Sequence, residues 1–213
     1  TDEPDSVNVS PDGNRIVYAR GRSVLLRNIE TGNIMSSLID VHGSNICSAV
    51  FSPDGKYIVT ASADETIRIW DVATGEPAGN PLEGHTDVVY TAFFSPDGGQ
   101  IVSASRDTTI RVWDVKTGET LYILEGHSDA VLSAVFSPDA GHILSSSEDK
   151  SVRLWETKTG LPVYILEGHT TIVTCASFSP DGKYILSCGY KGTMIAWDSG
   201  TGKRLTEYSG ALG

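Results

Sequence analysis

The stretch "IVSASRDTTIRVWD", residues 101–114, decides how the whole chain is interpreted. It contains Ser103 and Asp107, and His85 precedes it, so it holds the three residue types of a hydrolase triad. It also has apolar residues at positions 110, 112 and, less strictly, 113, which is typical of a β-strand. Two interpretations follow, one catalytic and one architectural.

Repetition along the chain separates these two interpretations. The tryptophans recur at residues 70, 113, 155 and 197, and three other positions keep the same intervals. These positions hold His42, His85, His127 and His169; Thr60, Ser103, Ser145 and Ser187; and Asp64, Asp107 and Asp149, followed by Lys191. An enzyme needs its triad once, whereas a structural joint is needed in every unit. The constellation is therefore interpreted as architecture.

The repeating unit has the signals of four short strands. In the third unit, "VVYTAFF" meets the turn "SPDGG", "QIVSAS" turns at "RDT", and "TIRVWDV" turns at "KTGE" before "TLYILE". No segment shows the 3.6-residue period of a helix. The sequence predicts an all-β fold in which one domain, residues 1–213, is built from five units. Their predicted bounds are 1–40 (degenerate), 41–83, 84–125, 126–167 and 168–213.

The motifs resemble those of the WD-repeat (WD40) family over the whole chain. They are "GH" at 84–85, 126–127 and 168–169, and "WD" at 70–71, 113–114 and 197–198, with "WE" at 155–156. The resemblance implies a β-propeller of four-stranded antiparallel blades. Five blades are visible, and we expect them to form part of a larger propeller of seven or eight blades, or one completed by another chain.

The resemblance also implies a hydrogen-bonded relay in each blade, from a Trp indole through a hydroxyl and a His imidazole to an Asp carboxylate. Its members would be Trp70–Thr60–His42–Asp64, Trp113–Ser103–His85–Asp107 and Trp155–Ser145–His127–Asp149. The fifth unit keeps Trp197, Ser187 and His169 but has Lys191 in place of the carboxylate. We expect its turn to be looser, or His169 to have another partner. The first unit has Tyr18 and Arg27 at the hydroxyl and tryptophan positions.

Composition excludes several classes of function. The net charge is −11 and basic residues are scattered, which disfavours direct nucleic-acid binding. No apolar run is long enough to cross a bilayer, so no membrane partner is expected. Three cysteines without C-x-x-C spacing indicate neither a zinc site nor a disulfide framework. We expect no metal, no cofactor, and a cytoplasmic location in a reducing compartment, with the nucleus left open.

The function expected from this pattern is that of a non-catalytic scaffold that binds a peptide or protein within a multiprotein complex. An enzyme would need a reactive group outside the repeat, and His142 and the cysteines are weak candidates. A sensor array of a larger signalling protein and a purely structural blade set are the alternatives. The resemblance places the partner on the narrower propeller face, with Tyr90, Arg106 and Tyr190 as anchors. The other residues expected on this candidate partner face are Asn45, Val88, Leu132, Glu148 and Ile172.

Overall fold

The computed structural model describes residues 6–38 and 41–209, and every regular element in these two ranges is a β-strand. The strands form five antiparallel sheets in chain order, which we call blades 1 to 5. The predicted all-β blade architecture is confirmed. Blade 1 contains β1 (Ser6–Val9), β2 (Arg15–Arg20), β3 (Ser23–Asn28) and β4 (Ile34–Leu38), and blade 2 contains β5 (Ile46–Phe51), β6 (Tyr57–Ser62) and β7 (Ile67–Asp71).

The last three blades each have four named strands that pair with their neighbours in the chain. Blade 3 contains β8 (Val89–Phe94), β9 (Gln100–Ser105), β10 (Ile110–Asp114) and β11 (Thr120–Leu124). Blade 4 contains β12 (Val131–Phe136), β13 (His142–Ser147), β14 (Val152–Glu156) and β15 (Pro162–Leu166). Blade 5 contains β16 (Val173–Phe178), β17 (Tyr184–Gly189), β18 (Thr193–Asp198) and β19 (Arg204–Ser209).

Blade 2 differs from the others at its outer edge. Only two isolated bridges, Ile67 to Leu82 and Trp70 to Pro77, occupy the place of the fourth strand. Pro77 is itself one of the bridged residues, and the segment between Pro77 and Leu82 contains Gly79 and Pro81. Proline has no amide hydrogen to donate to a strand ladder, so this edge is held at its two ends instead of along its length.

The recurring "SPD" turn between the first two strands of a blade has a side-chain lock. In blade 3 the Ser95 hydroxyl donates to the Asp97 carboxylate at 2.6 Å and accepts the Gln100 backbone N–H at 2.9 Å. The carboxylate in turn accepts the Gly99 N–H at 3.0 Å. Such serine and aspartate contacts with nearby backbone specify a tight reversal, and the same set recurs in all five blades.

The hydrophobic core lies between blades. Each of four buried clusters joins one blade to the next, and the tryptophan of the later blade belongs to the cluster. In the cluster between blades 2 and 3, for example, Val59 and Ile67 meet Val89, Ile101 and Trp113. We call the side of a blade that meets the next blade its trailing face. No cluster of the described residues joins blade 5 to blade 1, so the five blades form an open arc.

The trailing face of blade 5 is consequently exposed. Leu186 and Met194 are 40% and 39% accessible. Leu144 and Val152, which hold the same positions in blade 4, are 1% and 0% accessible because blade 5 covers them. Apolar side chains exposed together in this way mark a surface that another molecule or domain can bury.

Leu144→Ala and Leu186→Ala form a matched pair that tests this open face. We expect Leu144→Ala to lower the free energy of unfolding by about 2–5 kcal/mol, because it leaves a cavity in a closed cluster. Leu186→Ala is expected to cost less than about 1 kcal/mol, since its side chain is already hydrated. Urea unfolding followed by tryptophan fluorescence measures both changes. Equal losses in dilute protein would show that the face of blade 5 is covered.

Candidate functional site

The structure brings the four relay residues of blade 3 into one hydrogen-bonded chain. The Trp113 indole N–H donates to the Ser103 hydroxyl oxygen at 2.9 Å. His85 Nε2 lies 2.8 Å from the same oxygen, and His85 Nδ1 lies 2.7 Å from Asp107 Oδ2. The carboxylate requires a donor at Nδ1, so Nε2 accepts the serine proton. Every donor in the chain therefore has an acceptor.

Blades 2 and 4 contain the same arrangement. In blade 4 the distances from Trp155 to Ser145, from Ser145 to His127 and from His127 to Asp149 are 2.9, 2.8 and 2.7 Å. In blade 2 the corresponding distances along Trp70, Thr60, His42 and Asp64 are 3.0, 2.7 and 3.0 Å. The three histidines and their hydroxyl partners are buried. These relays tie the buried tryptophan to the turn that carries the aspartate.

Blade 5 keeps the first half of the relay only. Trp197 donates to the Ser187 hydroxyl at 2.9 Å, and His169 Nε2 lies 2.7 Å from the same oxygen. His169 Nδ1 is buried and has no hydrogen-bond partner within the part of the chain that the structure describes. The turn also changes, because Lys191 and Gly192 both have positive φ, at 73° and 81°. The missing carboxylate is thus accompanied by a different backbone turn.

Blade 1 replaces the relay with another interaction. The Arg27 guanidinium lies 5.5 Å from the centre of the Tyr18 ring, at the two positions where other blades have the tryptophan and the hydroxyl. A cation over an aromatic face is a modest attraction that needs no relay histidine.

Two further groups of hydroxyls, which were not predicted from the sequence, hydrogen-bond with the relay aspartates. Thr109 donates its hydroxyl to Asp107 at 2.7 Å, and Ser105 accepts the Asp107 backbone N–H at 3.0 Å. The same contacts recur in blades 2 and 4 at Thr66, Ser62, Ser151 and Ser147. These residues recur at the repeat interval, and this recurrence could have identified them from the sequence. Gly189 takes the Ser105 position in blade 5 and cannot make that contact.

The glycine of the "GH" motif has a packing role. Arg111 stacks on Trp113, with its guanidinium 5.8 Å from the ring centre. A Cβ atom at Gly84 would lie 2.6 Å from Arg111 Nη1. Gly126 has the same relation to Arg153, which stacks on Trp155. A side chain at Gly84 or Gly126 would displace the end of the arginine from the indole, and their positive φ angles, 151° and 148°, also favour glycine.

The relay groups have shifted pKa values. Burial alone would raise the pKa of Asp64, but hydrogen bonds from Thr66 and Gly43 and the charge of His42 outweigh it and hold the pKa at about 2. The same balance holds Asp149 at about 2 and Asp107 below its ordinary pKa. Burial lowers the pKa of His42 and His127 despite their carboxylate neighbours. It also lowers the pKa of His169.

Although the atoms of Ser103, His85 and Asp107 are spaced like a hydrolase triad, their surroundings do not suit a nucleophile. Ser103 has no accessible surface, so no substrate carbonyl can approach its oxygen. The Trp113 N–H donates to that same oxygen and stabilises its electron pairs. This arrangement holds the parts of a blade together, and it leaves no space for a substrate beside Ser103.

Backbone hydrogen bonds bring together the loop positions of the candidate partner face. The Arg106 N–H donates to the Val88 carbonyl at 2.9 Å, and the Tyr190 N–H donates to the Ile172 carbonyl at 2.8 Å. Glu148 and Asn45 take part in equivalent bonds, to Ala130 and from Ala63. Each blade therefore places the loop before its first strand beside the turn that carries the relay aspartate position. Leu132 and Tyr90 are half-buried at the start of β12 and β8.

Arg106 places an exposed positive charge on the candidate partner face. Its side chain is 61% accessible, and its Nε lies 3.9 Å from Asp87 Oδ2. Burial raises the pKa of Tyr90, and among the charges that act on it are those of Arg106 and Glu148. An exposed ion pair at this distance is weak, so Arg106 can exchange Asp87 for another carboxylate at little cost.

Residues 6–38 and 41–209 contain no group of three His, Cys, Asp or Glu side chains arranged to hold a metal ion. The same ranges contain no helix that is long and apolar enough to span a membrane.

Comparison with known proteins matches the repeat pattern. The family model described as "WD domain, G-beta repeat" matches residues 33–71, 76–114, 118–156 and 160–198, which together are more than half of the chain. Each matched segment contains the outer edge of one blade and three strands of the next. The family repeat is therefore offset from the blade by one strand, and each repeat links two blades.

Individual relatives are similar over short segments. Actin-interacting protein 1 of Drosophila melanogaster is 36% identical over 72 residues, which is 32% of this chain and 11% of that protein. WD repeat-containing protein 1 of Xenopus tropicalis is 36% identical over 29% of this chain and 10% of its own length. Target of rapamycin complex subunit LST8-1 of Arabidopsis thaliana is 35% identical over 32% of this chain and 24% of its own length. The chain thus matches no more than about a quarter of each of these relatives.

Asp107→Ala tests the structural role of the relay. We expect it to lower the free energy of unfolding by about 1–3 kcal/mol, because buried donors of His85 and Thr109 lose their acceptor. Lys191→Ala is the matched control at the same repeat position, and it should change stability by no more than about 0.5 kcal/mol. Chemical unfolding measures both. An Asp107→Ala protein as stable as the parent would contradict the relay's structural role.

The relays also predict how stability depends on pH. His42, His127 and His169 have folded pKa values below the ordinary 6.5, so their contribution to stability is complete above pH 6.5 and decreases as the pH falls below it. Asp64 and Asp149 titrate at about 2 in the fold and at 3.8 otherwise, so a second loss is expected as the pH falls from about 4 to 2. Urea midpoints measured from pH 8 to pH 2 report both losses. A constant midpoint would contradict this linkage.

Proposed function

Because the chain belongs to the WD40 (WD domain, G-beta repeat) family, whose members generally serve as protein-interaction scaffolds, we propose that it is a non-catalytic scaffold. The observation that carries this proposal is the burial of every complete relay. The residues that resemble a catalytic centre are used to hold blades in shape. The loops between them are the variable and accessible part of the molecule, where binding residues are most often found.

We propose that the partner is a peptide or a loop of another protein, bound on the candidate partner face. Tyr90, Arg106 and Tyr190 are its anchors, because tyrosine and arginine combine large contact area with directional hydrogen bonds. Tyr190 is 61% accessible, so burial by a partner would remove much apolar area from water. A carboxylate of the partner would replace Asp87 as the neighbour of Arg106.

The relatives support a role in an assembly. One is named as an actin-interacting protein and another as a subunit of the target of rapamycin complex. Both names describe association with other proteins. Since the similarity covers short segments, it supports protein binding in general, and we propose membership of a multiprotein complex without assigning either partner.

A second candidate function rests on the exposed trailing face of blade 5. Leu186, Met194 and Tyr208 occupy positions that the next blade covers in blades 2 to 4. Under this alternative the blades are a structural part of a larger propeller or assembly, and the protein's contacts run through the open face.

The two proposals are distinguished by a pull-down from extract of the source cells. The chain with Tyr90, Arg106 and Tyr190 replaced by alanine should lose its specific partners while keeping its melting temperature. A control with Lys56, Lys183 and Tyr184 replaced by alanine should retain them. These control residues are exposed and lie at the opposite ends of the strands, beside the "SPD" turns. Recovery of every partner by the first variant would contradict the candidate partner face.

A further inference from the structure

Two of the three cysteines lie side by side in blade 5. Cys175 on β16 and Cys188 on β17 are direct partners in the antiparallel register. The nearby Cys175 contributes, after burial, to raising the pKa of the Cys188 thiol. They are 13 positions apart in the sequence numbering, with a turn between them, so no short-spacing motif reveals the pair. Both are present as free thiols in the structure.

The position of the pair suits a disulfide. Directly opposed residues of an antiparallel pair have Cα atoms about 4.5–5.5 Å apart and side chains on the same face of the sheet. A disulfide requires a Cα separation of about 4.4–6.8 Å. The direct opposition of Cys175 and Cys188 in the register of β16 and β17, next to a register shift between Val173 and Cys175, therefore favours this bond.

The open face leaves this pair accessible. Cys175 is exposed and Cys188 is half-buried. Ala61, Ala104 and Ser146, which take the Cys188 position in blades 2 to 4, are 0% accessible because another blade covers them. An oxidant of small size can thus reach blade 5 at a place that is closed in the preceding blades.

We propose that Cys175 and Cys188 form a reversible dithiol–disulfide pair that is oxidised by hydrogen peroxide. The Cys175 thiolate attacks one peroxide oxygen, the O–O bond breaks, and the departing hydroxide takes up a proton to form water. Cys175 is now a sulfenic acid. The Cys188 thiolate then attacks the Cys175 sulfur, the S–O bond breaks, and a second water leaves. Two thiols and one peroxide become one disulfide and two waters, with two electrons passing from sulfur to oxygen.

The surroundings assign the order of the two cysteines. Burial, followed by the neighbouring Cys175, raises the pKa of the Cys188 thiol, which disfavours its thiolate. Cys175 is the more exposed of the two and meets the oxidant first. Cys188 lies opposite it and resolves the sulfenic acid before a second peroxide can react.

The test treats the full chain with a small excess of hydrogen peroxide, then alkylates the remaining thiols and maps peptides by mass spectrometry. We expect the number of alkylated cysteines to fall from three to one, with Cys175 and Cys188 joined in one peptide pair that has lost two hydrogen atoms. Excess dithiothreitol should restore all three thiols. The Cys47→Ser variant should form the same bond.

Two variants make the result decisive. Cys188→Ser should form no internal disulfide and should accumulate sulfenic or sulfinic acid at Cys175, because the resolving thiol is missing. Cys175→Ser should leave Cys188 largely alkylatable under the same treatment. Oxidation of Cys175 to sulfinic acid in the parent chain, with Cys188 still alkylatable, would overturn the proposal. Disulfides between two copies in place of the internal bond would overturn it equally.

Discussion

The tryptophan of each complete blade is the residue on which the rest of the arc depends, because it takes part in two kinds of interaction at once. The Trp113 ring packs into the cluster between blades 2 and 3, while its N–H donates to Ser103 within blade 3. A blade is too thin to contain a core of its own, so apolar burial occurs between blades. The relay fixes where the ring lies, and the ring fixes how two blades meet. Order within a blade and packing between blades are thereby linked through one side chain.

The offset between repeat and blade extends this link along the chain. Each family repeat begins with the outer edge of one blade and continues into the next, as residues 76–114 show. His85 follows directly on that outer segment, so the relay that it enters anchors the preceding blade as well as its own. Blade 5 receives such support from blade 4 and gives none to a further blade among the described residues. Its trailing face is exposed for this reason and not because its sequence is more polar.

Much of the fold was predictable because it depends on register. The positions of Trp113, Ser103, His85 and Asp107 recur at fixed intervals, and the structure places them in contact in blades 2 to 4. The repeat register did not predict the outer edge of blade 2, because the effect of two prolines depends on where the neighbouring strand runs. The contact between Cys175 and Cys188 depends on the pairing of β16 with β17, which a count of residues between cysteines does not reveal. The repeat register predicts the features that the repeats share, whereas the structure is needed to explain how they differ.

Those differences are also where function is most reasonably sought. A residue that recurs in every blade is explained by the joint that it makes, as Ser103 is by the indole above it, even when its neighbours match a catalytic triad. Arg106 and Tyr190 share one repeat position, which holds Ala63 and Glu148 in blades 2 and 4, and Cys175 takes the position of Ser48 and Ser133 in those blades. Arg106, Tyr190 and Cys175 are all exposed. Nothing in the relay or in the clusters between blades requires arginine, tyrosine or cysteine there. In a protein built from repeats of one unit, an exposed residue that differs between the repeats is therefore better evidence of a specific role than a recurring arrangement that resembles an active site.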